Sequence, residues 1–468
     1  MNHRDDVAAQ FDKLCVWAAN LRLEDIPAPT LATAALILGD NIAATLSAQD
    51  EPEIRAWHDR TIAQRTSMQS TIWRAGGPRV SLAEAAVSNG LAVTWDELDD
   101  GYTRTAIHPG ALSQPLIVAA AEADGATLAT MFRAIVGAYE IGTRFARTWP
   151  GTLPRIHPHA AFNTICAAAG IALVRNADAP TLARTLSAAV TMTMPGPYSH
   201  PIEGALVRNA WPAAGAWLGL FAYDLARTGI SGLSASPYDV FTTCFGAEPQ
   251  ANELAVNLGD EWTITAGYHK LYAACHHSHA AMEALETIFA AHPELRSSDR
   301  IENVTVEGSK MAMNFANTEP TTTLGAKFSI PHAVAGTVAY RANDPHIFTT
   351  AGLTDTRIVR FRSAIRLEPL IDVGAWPYDR PARVTIRLND GTTFSERCDA
   401  ALGSPARPLD ADTVIDKIGR LSEKRVPRLR DAIVNLREAI ITQGPRSALP
   451  PTVAPWMQDV FSGGNGAA

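Results

Sequence analysis

The stretch SQPLIVAAAEADGATLATMFRAIVGAYEIGTRFA (residues 113–146) decides the fold of the first half of the chain. Its apolar residues recur at intervals of three and four, which predicts helices rather than strands. Asp124 and Gly125 interrupt the pattern, so we expect two helices joined by a short turn. The many alanines would let these helices pack closely against their neighbours.

The same pattern extends from residue 1 to about residue 265, with breaks at proline and glycine. This predicts a mainly helical region. Within it, AFNTICAAAGIALV (161–174) is apolar nearly all round. Such a segment is typical of a helix that is buried on every side.

The character of the chain changes after about residue 267. IENVTVEGS (301–309) alternates like a strand, and ARVTIRLNDGTTFSERCD (382–399) predicts a hairpin with its turn at Asn389-Asp390-Gly391. SIPHAVAGTVAYRAN (329–343) predicts a helix that begins near its proline. Residues 267–403 are therefore expected to form an α+β unit.

From about residue 408 the pattern is helical again, beginning at LDADTVIDKIGRLSEKR, where Asp and Thr are suited to cap a helix. The fold class predicted is mainly α with an α+β part. A chain of 468 residues is also too long for one ordinary core, so two or more structural units are expected.

Composition limits the classes of function. The chain is 47% hydrophobic and 19% charged, as in soluble globular proteins, and its net charge is −8. It lacks the basic stripe of a nucleic-acid-binding protein. An anionic small-molecule substrate remains compatible with a negative chain, because cations inside a pocket decide local binding.

Cysteine usage and hydropathy indicate a cytoplasmic protein. The five cysteines are widely spaced and form no CxxC pair, which is typical of reduced thiols. The start, MNHRDDVAAQ, has no apolar core of a secretory signal. Apolar runs such as LATAALILG (31–39) fall short of the roughly 18 residues that span a membrane, so no membrane partner is expected.

Several chemistries are disfavoured because their motifs are missing. The sequence contains no GxGxxG, GxxxxGK[ST], HExxH or GxSxG motif and no iron–sulfur cysteine pattern. This argues against nucleotide-dependent, zinc-protease, α/β-hydrolase and iron–sulfur mechanisms. No cofactor is therefore expected.

The first stretch with polar residues suited to chemistry is ELDDGYTRTAIHPG (97–110). Glu97, Asp99 and Asp100 precede His108 closely. A carboxylate that accepts one ring N–H of a histidine orients the ring and raises its basicity. The alternative interpretation is a solvated loop of acidic residues.

The second stretch is RIHPH (155–159), just before the apolar segment 161–174. His157 at a helix N-terminus would suit chemistry near a developing negative charge. Alternatively, His157 and His159 cap the helix or lie on the surface. A metal site at His-x-His lacks a third ligand of obvious spacing, so no metal is predicted.

The third stretch is YHKLYAACHHSH (268–279). Its Lys270 could bind a carboxylate, or act as a base if burial lowers its pKa. The histidines at 276, 277 and 279 admit a simpler interpretation, which is a helix start with two exposed imidazoles.

In this order and spacing, the three stretches resemble the MmgE/PrpD family, which includes 2-methylcitrate dehydratases, cis-aconitate decarboxylases and iminodisuccinate epimerases. The family pattern D-x-D-D followed by H-P-S or H-P-G falls on residues 97–110, with Glu97 at its first acidic position. Residues 268–279 resemble F-K-x-Y-P-x-C-x-x-x-H, and KFSIPHAVA (327–335) resembles Q-F-S-x-P-Y-x-V-A. The resemblance covers most of the chain.

Two positions depart from the family pattern. LVRNAWPAAGAWLG (206–219) is similar to V-K-N-L-Y-A-G-W-A-A, with the family lysine replaced by Arg208 and with Trp211 where His or Tyr is common. Arginine can hold a carboxylate but cannot release a proton at neutral pH. Some decarboxylating relatives have histidine at the position of Cys275, which argues mildly against decarboxylation.

The resemblance implies a discontinuous helical domain (1–266 and 404–468) with an inserted α+β lid (267–403), and a homodimer formed through the helical domain. It implies a cofactor-independent enzyme that moves a proton on a carbon beside a carboxylate of a small di- or tricarboxylate. The implied catalytic residues are His108, His157, Lys270, Glu97 and Asp100. The implied substrate-binding residues are Arg208, Trp211, Asp99, Cys275, His276 and His277.

The same residues would serve three reactions. A dehydratase or hydratase is the first prediction because it is the broadest activity in the family. An epimerase comes second and a decarboxylase third. A homologue that binds polycarboxylates without turnover is the fourth alternative, and the changes at Arg208, Trp211 and Cys275 favour it.

Overall fold

The computed structural model describes residues 3–152, 154–449 and 451–462. It is mainly helical and contains a small mixed sheet of four strands, which confirms the predicted fold class.

The first part of the chain is built from helices of very different length. They are α1 (His3–Asn20), α2 (Ala28–Ser47), α3 (Pro52–Gln64), α4 (Leu82–Ala92), α5 (Pro109–Ala123), α6 (Leu128–Thr148), α7 (Pro158–Ala161), α8 (Asn163–Val174), α9 (Ala179–Thr191), α10 (Ser199–Glu203), α11 (Trp211–Arg227) and α12 (Ser236–Tyr238). A two-stranded ribbon, β1 (Ser70–Thr71) with β2 (Arg79–Val80), was not predicted from the sequence.

Helix α8 lies at the centre of this part. All of its residues are buried, as the sequence predicted, and it packs against α5, α6 and α11. The pair α5 and α6 is the predicted helical pair, with its turn at Asp124 and Gly125. Gly125 has a φ of +66°, a conformation that glycine adopts without strain.

The middle of the chain forms the α+β unit. Its elements are α13 (His276–Ala291), β3 (Ile301–Gly308), α14 (Thr323–Lys327), α15 (Ile330–Ala339), α16 (Thr350–Thr354), α17 (Thr356–Arg362), β4 (Ile365–Pro369), β5 (Ala382–Leu388) and β6 (Thr393–Cys398). The strand order is β4-β3-β5-β6, with β3 and β4 parallel and the other pairs antiparallel. The β5–β6 hairpin confirms the prediction, whereas β4 was missed.

The chain ends in α18 (Ala411–Ser422), α19 (Leu429–Gln443), α20 (Pro445–Ala448) and α21 (Val453–Phe461). Asp410 caps α18 by accepting the amide N–H of Thr413 at 2.8 Å, as its sequence suggested. Helices α18 and α19 pack on α2. Gly39 allows this close approach, because a Cβ there would collide with Ile418 and Ile433.

Buried apolar residues form two main clusters. The larger one combines side chains between Val7 and Ile264 with side chains between Val414 and Phe461. The smaller one lies between Cys275 and Ala401 and also includes Tyr198. The exact domain boundaries stay a prediction.

One helical segment, Ala28–Asp50, is long and apolar enough to cross a membrane by length and composition alone. The sequence analysis did not find such a stretch, because Asp40 and Asp50 limit the continuous apolar run. Inside the protein, 83% of its most apolar window is buried. Its apolar surface is therefore already used in packing.

A buried polar network joins α2, α18 and the segment before α13. Lys417 contacts Asp40 at 2.6 Å and donates to the carbonyl of Leu98 at 2.6 Å, while Asp40 also contacts the Nδ1 of His269 at 2.6 Å. Burial alone would raise the pKa of Asp40, but Lys417 and His269 lower it overall. The ion pair thereby ties the last part of the chain to the first.

We predict that Lys417→Met destabilises the protein by about 3–5 kcal/mol, because it leaves a buried carboxylate without its main partner. Urea unfolding followed by circular dichroism measures the change. Arg420→Met, at an exposed position of the same helix, is the control and should change the free energy of unfolding by less than about 0.5 kcal/mol. Equal effects of the two substitutions would contradict the assignment.

Candidate active site

The acidic stretch forms a buried loop rather than a solvated one. Glu97, Asp99 and Asp100 are all buried, so the solvated-loop alternative is wrong. Glu97 has a φ of +54°, which is uncommon for a residue with a side chain and is typical of strained functional loops. The surrounding structure must hold this conformation.

Three buried cations hold the loop through its carbonyl groups. Arg208 donates to the carbonyl of Thr94 at 3.2 Å, Lys327 donates to that of Trp95 at 3.0 Å, and Lys417 donates to that of Leu98. These cations come from three separate parts of the chain. They fix the direction in which the Glu97 side chain points.

Glu97 bridges two cationic side chains of the predicted site, those of Arg208 and Lys270. Its Oε1 lies 2.5 Å from the Nη2 of Arg208, and its Oε2 accepts from the Nζ of Lys270 at 2.8 Å. Burial raises the pKa of Glu97, but Arg208 and Lys270 outweigh it and lower the pKa to about 2. Glu97 is therefore an ionised counter-ion at neutral pH.

Lys270 reaches Glu97 because of a short backbone pairing. Gly101 and Tyr268 form an antiparallel bridge, with the Tyr268 N–H donating to the Gly101 carbonyl at 2.8 Å. Burial lowers the pKa of Lys270, yet the carboxylates of Asp99 and Glu97 raise it overall. Lys270 stays protonated, so the alternative in which it acts as a base has no support.

Asp99 orients His108. The Oδ2 of Asp99 lies 2.6 Å from the Nδ1 of His108, and the pKa of Asp99 is held low by Lys270 and His108 despite burial. Because an ionised carboxylate only accepts, His108 donates through Nδ1. In the neutral ring, Nε2 is then the nitrogen with a free lone pair.

His157 is oriented in the opposite sense. It caps the short helix α7, and its Nδ1 accepts the backbone N–H of His159 at 3.1 Å. Burial, followed by the positive charge of Arg208, lowers the pKa of His157 well below its usual value. The ring is neutral, and its proton is therefore on Nε2.

His159 lies between these two histidines. Its ring centroid is 4.6 Å from that of His108 and 4.6 Å from that of His157, in edge-on arrangements. The alternative in which His159 lies on the surface is wrong, because it is fully buried. Within the described residues, neither of its ring nitrogens has a hydrogen-bond partner.

The cluster after Lys270 is also more buried than expected. His276 and His279 are buried and His277 is half-buried, so the interpretation with two exposed imidazoles is wrong. The Nε2 of His279 bonds to the Ala274 carbonyl at 3.0 Å, away from the site. Burial raises the pKa of Cys275 to about 11, which keeps it a neutral thiol.

These groups surround a small cavity of about 40 Å³. Of the predicted site residues, those that line it are Glu97, His108, His157, Arg208, Lys270, Cys275, His276 and His277. Lining residues that the sequence analysis did not select are Ala106, Pro158, Tyr198, Tyr268, Phe328 and Arg380. Tyr268 and Phe328 lie within quoted motifs, whereas Tyr198 and Arg380 had no local signal.

Three predicted site residues do not line the cavity. Asp99 lies behind His108, and Trp211 packs on the His157 ring with centroids 5.4 Å apart. Asp100 accepts from the side chain of Asn41 at 2.8 Å and from the N–H of Ala111 at 3.1 Å. Asp100 therefore anchors the start of α5 instead of facing a substrate.

Asp99, His108 and His159 offer ligand atoms that all lie within 4.8 Å of one another, so they could be considered for a metal ion. The Nζ of Lys270 is 3.6 Å from the Oδ1 of Asp99, and its positive charge opposes a cation there. Asp99 is also occupied by the proton of His108. The charges favour an anionic ligand over a metal.

The MmgE/PrpD N-terminal domain matches residues 12–246, and the MmgE/PrpD C-terminal domain matches residues 272–439. The chain therefore belongs to the MmgE/PrpD family, which is a family of enzymes.

Curated relatives are similar over nearly their whole length. The cis-aconitate decarboxylase-like protein oryM of Aspergillus oryzae is 25% identical, over 91% of this chain and 94% of the relative. A cis-aconitate decarboxylase of Aspergillus terreus is 22% identical, over 91% of this chain and 92% of the relative. A second one, from strain NIH 2624 of the same fungus, is also 22% identical.

Asp100 should make stability depend on pH. Burial raises its pKa from 3.8 to about 6, so the folded protein binds a proton that the unfolded chain has already lost. This contribution is complete below about pH 4 and is lost as the pH rises through about 6. Holding Asp100 ionised then costs about 3 kcal/mol.

We therefore predict that Asp100→Asn gains about 2 kcal/mol relative to the wild type between pH 4.5 and pH 8, measured by urea unfolding. The exposed Asp416→Asn on α18 is the control and should show a constant difference. Parallel stability profiles for wild type and Asp100→Asn would contradict the buried, raised-pKa assignment.

Proposed function

We propose that this protein is a cofactor-independent lyase that moves a proton on a carbon beside a carboxylate of a small di- or tricarboxylate. The observation that carries the proposal is the pair His108 and His157. Both line one buried cavity, and their hydrogen bonds give them opposite tautomers. One offers a lone pair and the other offers a proton.

His108 is the proposed base. Asp99 accepts the Nδ1 proton at 2.6 Å and stabilises the imidazolium that forms when Nε2 takes a proton from carbon. The ionised state of Asp99 is maintained by Lys270. For this role the Asp99 carboxylate must lie behind the His108 ring and outside the cavity. Asp99 lies in that position.

His157 is the proposed acid. Its Nε2–H faces a cavity where negative charge or a leaving hydroxyl develops, and burial with the positive charge of Arg208 lowers the pKa of the ring, which keeps it neutral and leaves this N–H as the donor. Arg208 and Lys270 supply fixed positive charge for an enolate-like intermediate. These groups cost no reorganisation during the reaction, because Glu97 already holds them in place.

Elimination of water uses all of these groups. His108 removes the proton from carbon, the electron pair forms the double bond, and the hydroxyl leaves with the proton of His157 as water. A hydro-lyase is therefore the first proposal, and an epimerase would need the same two groups on opposite faces of the carbon.

Decarboxylation is the second proposal, and the names of the relatives favour it. In that reaction the C–C bond breaks, CO₂ leaves, and the remaining electron pair takes a proton from the imidazolium form of His108, which the ionised Asp99 stabilises. A cytoplasmic location is also proposed, since all five cysteines are free.

We predict that one of citrate, 2-methylcitrate, cis-aconitate, malate and iminodisuccinate is converted or takes up deuterium when followed by proton NMR in D₂O. His108→Asn and Lys270→Ala should lower the rate by about 10²- to 10⁴-fold. The exposed Lys424→Ala is the control and should keep the wild-type rate. The products separate elimination, epimerisation and loss of CO₂.

If the folded wild type converts none of these compounds and takes up no deuterium, that result would contradict the proposed lyase. It would favour a homologue that binds polycarboxylates without turnover, and binding measurements on the same compounds would then decide. A rate that His108→Asn leaves unchanged would contradict the proposed base specifically.

We also propose that the protein is a homodimer formed through its helical part. Trp217 and Phe221 lie one turn apart on α11 and are 56% and 48% exposed, and Val207 nearby is 55% exposed. Trp217 also lines a mainly apolar depression of about 630 Å³, together with Trp57 and Leu218. An exposed apolar face of this kind suits a second copy of the chain.

Sedimentation velocity should give twice the chain mass for the wild type, and Trp217→Glu with Phe221→Glu should give the mass of one chain. Val359→Glu, at an exposed apolar position on α17, is the control and should remain dimeric. A monomeric wild type at micromolar concentration would contradict the proposal.

A further inference from the structure

Arg380 separates two cavities of very different size. It lines the inner cavity of about 40 Å³ and also an outer cavity of about 600 Å³. Tyr198, His277 and Ala106 are the other residues shared by both. By this measure one water molecule needs about 10–15 Å³, so the inner space holds only a few waters. A polycarboxylate that enters from the outer cavity must pass Arg380 and these shared residues, and the inner space must widen to admit it.

The Arg380 side chain makes contacts that are weak enough to exchange. Its Nη2 donates to the carbonyl of Thr103 at 3.2 Å, and its Nη1 donates to the Nδ1 of His276 at 3.2 Å. Both partners are neutral. The segment that carries Arg380, residues 370–381 between β4 and β5, is largely exposed and is also held by Trp376, whose Nε1 donates to the Thr103 hydroxyl at 3.0 Å.

Arg380 also differs from the other cationic side chains of the cavity in how closely a carboxylate approaches it. Arg208 and Lys270 share the carboxylate of Glu97, at 2.5 and 2.8 Å. The carboxylate nearest to Arg380 is Asp379, 3.5 Å from its Nε, and this Nε has no hydrogen-bond partner within the described ranges. The guanidinium is thus a half-buried fork that lacks a well-placed carboxylate.

The contact with Arg380 fixes the tautomer of His276. Because a guanidinium can only donate, the Nδ1 of His276 accepts and its proton lies on Nε2. That Nε2–H is buried and has no partner among the described residues. His276 therefore brings an unsatisfied N–H donor to the lining of the inner cavity.

We propose that Arg380 binds a carboxylate of the substrate that is remote from the reacting carbon, assisted by the Nε2–H of His276. This rests on the proposed lyase function and narrows it. The substrate has at least two carboxylates, one held near Lys270 and one held by Arg380 at the lid side. On binding, Arg380 leaves the Thr103 carbonyl, which opens the passage between the two cavities. It then forms a charge-assisted pair with the substrate carboxylate, which closes the passage.

The test is calorimetric binding of tricarballylate, an unreactive saturated tricarboxylate, to the full-length protein. Arg380→Gln should weaken binding about 10- to 100-fold, as expected for loss of a charge-assisted pair. Arg380→Lys keeps the charge but loses the planar fork, and it should give a smaller loss of at least about threefold. Arg387→Gln, an exposed arginine on β5, is the matched control and should bind within about twofold of wild type.

Melting curves establish that each variant is folded, and Arg380→Lys provides the test if Arg380→Gln does not fold. Wild-type affinity in the Arg380 variants would overturn this proposal and leave the lyase proposal standing. A wild-type protein that does not bind tricarballylate would overturn both, because the polycarboxylate class itself would be wrong.

Discussion

The carboxylate of Glu97, shared between the guanidinium of Arg208 and the ammonium of Lys270, is the interaction on which the rest of the site depends. Each charge would cost several kcal/mol to bury alone. Together they form a compact cluster with a strained backbone at Glu97. The loop can carry that strain because buried cations also bind its carbonyl groups.

This cluster sets the states of the neighbouring histidines. The nearby positive charge and burial keep His157 neutral, while Lys270 keeps Asp99 ionised and able to accept the proton of His108. The two rings then present different nitrogens to one cavity. A buried, pre-ordered arrangement of this kind can stabilise charge that develops on a substrate without reorganising.

Much of the fold could be predicted because helices and hairpins leave local patterns in the sequence. The buried helix α8, the α5–α6 pair and the β5–β6 hairpin all followed from periodicity and turn residues. Strand β4 is short, and its outward-facing side chains are mostly polar. Its alternation of apolar and polar residues was therefore too weak to detect. The ribbon β1–β2 has only two residues in each strand.

The sequence predicted which residues line the cavity where a local motif contains chemically suitable side chains, as at His108, His157 and Lys270. The position of a residue in the sequence does not show where its side chain lies within the fold. Asp100 was therefore predicted to be catalytic, although it anchors the start of α5. Arg380 lies more than a hundred residues from the stretches that it contacts through Thr103 and His276. Its part in the site depends on tertiary structure alone.

The most direct test of the central ion pair is a double-mutant cycle with Glu97→Gln, Arg208→Met and the double variant, measured by urea unfolding at pH 7. A coupling free energy of at least about 2 kcal/mol is expected for a buried pair at this distance. A coupling near zero would contradict the account, because Glu97 would then not be what holds Arg208 in the site.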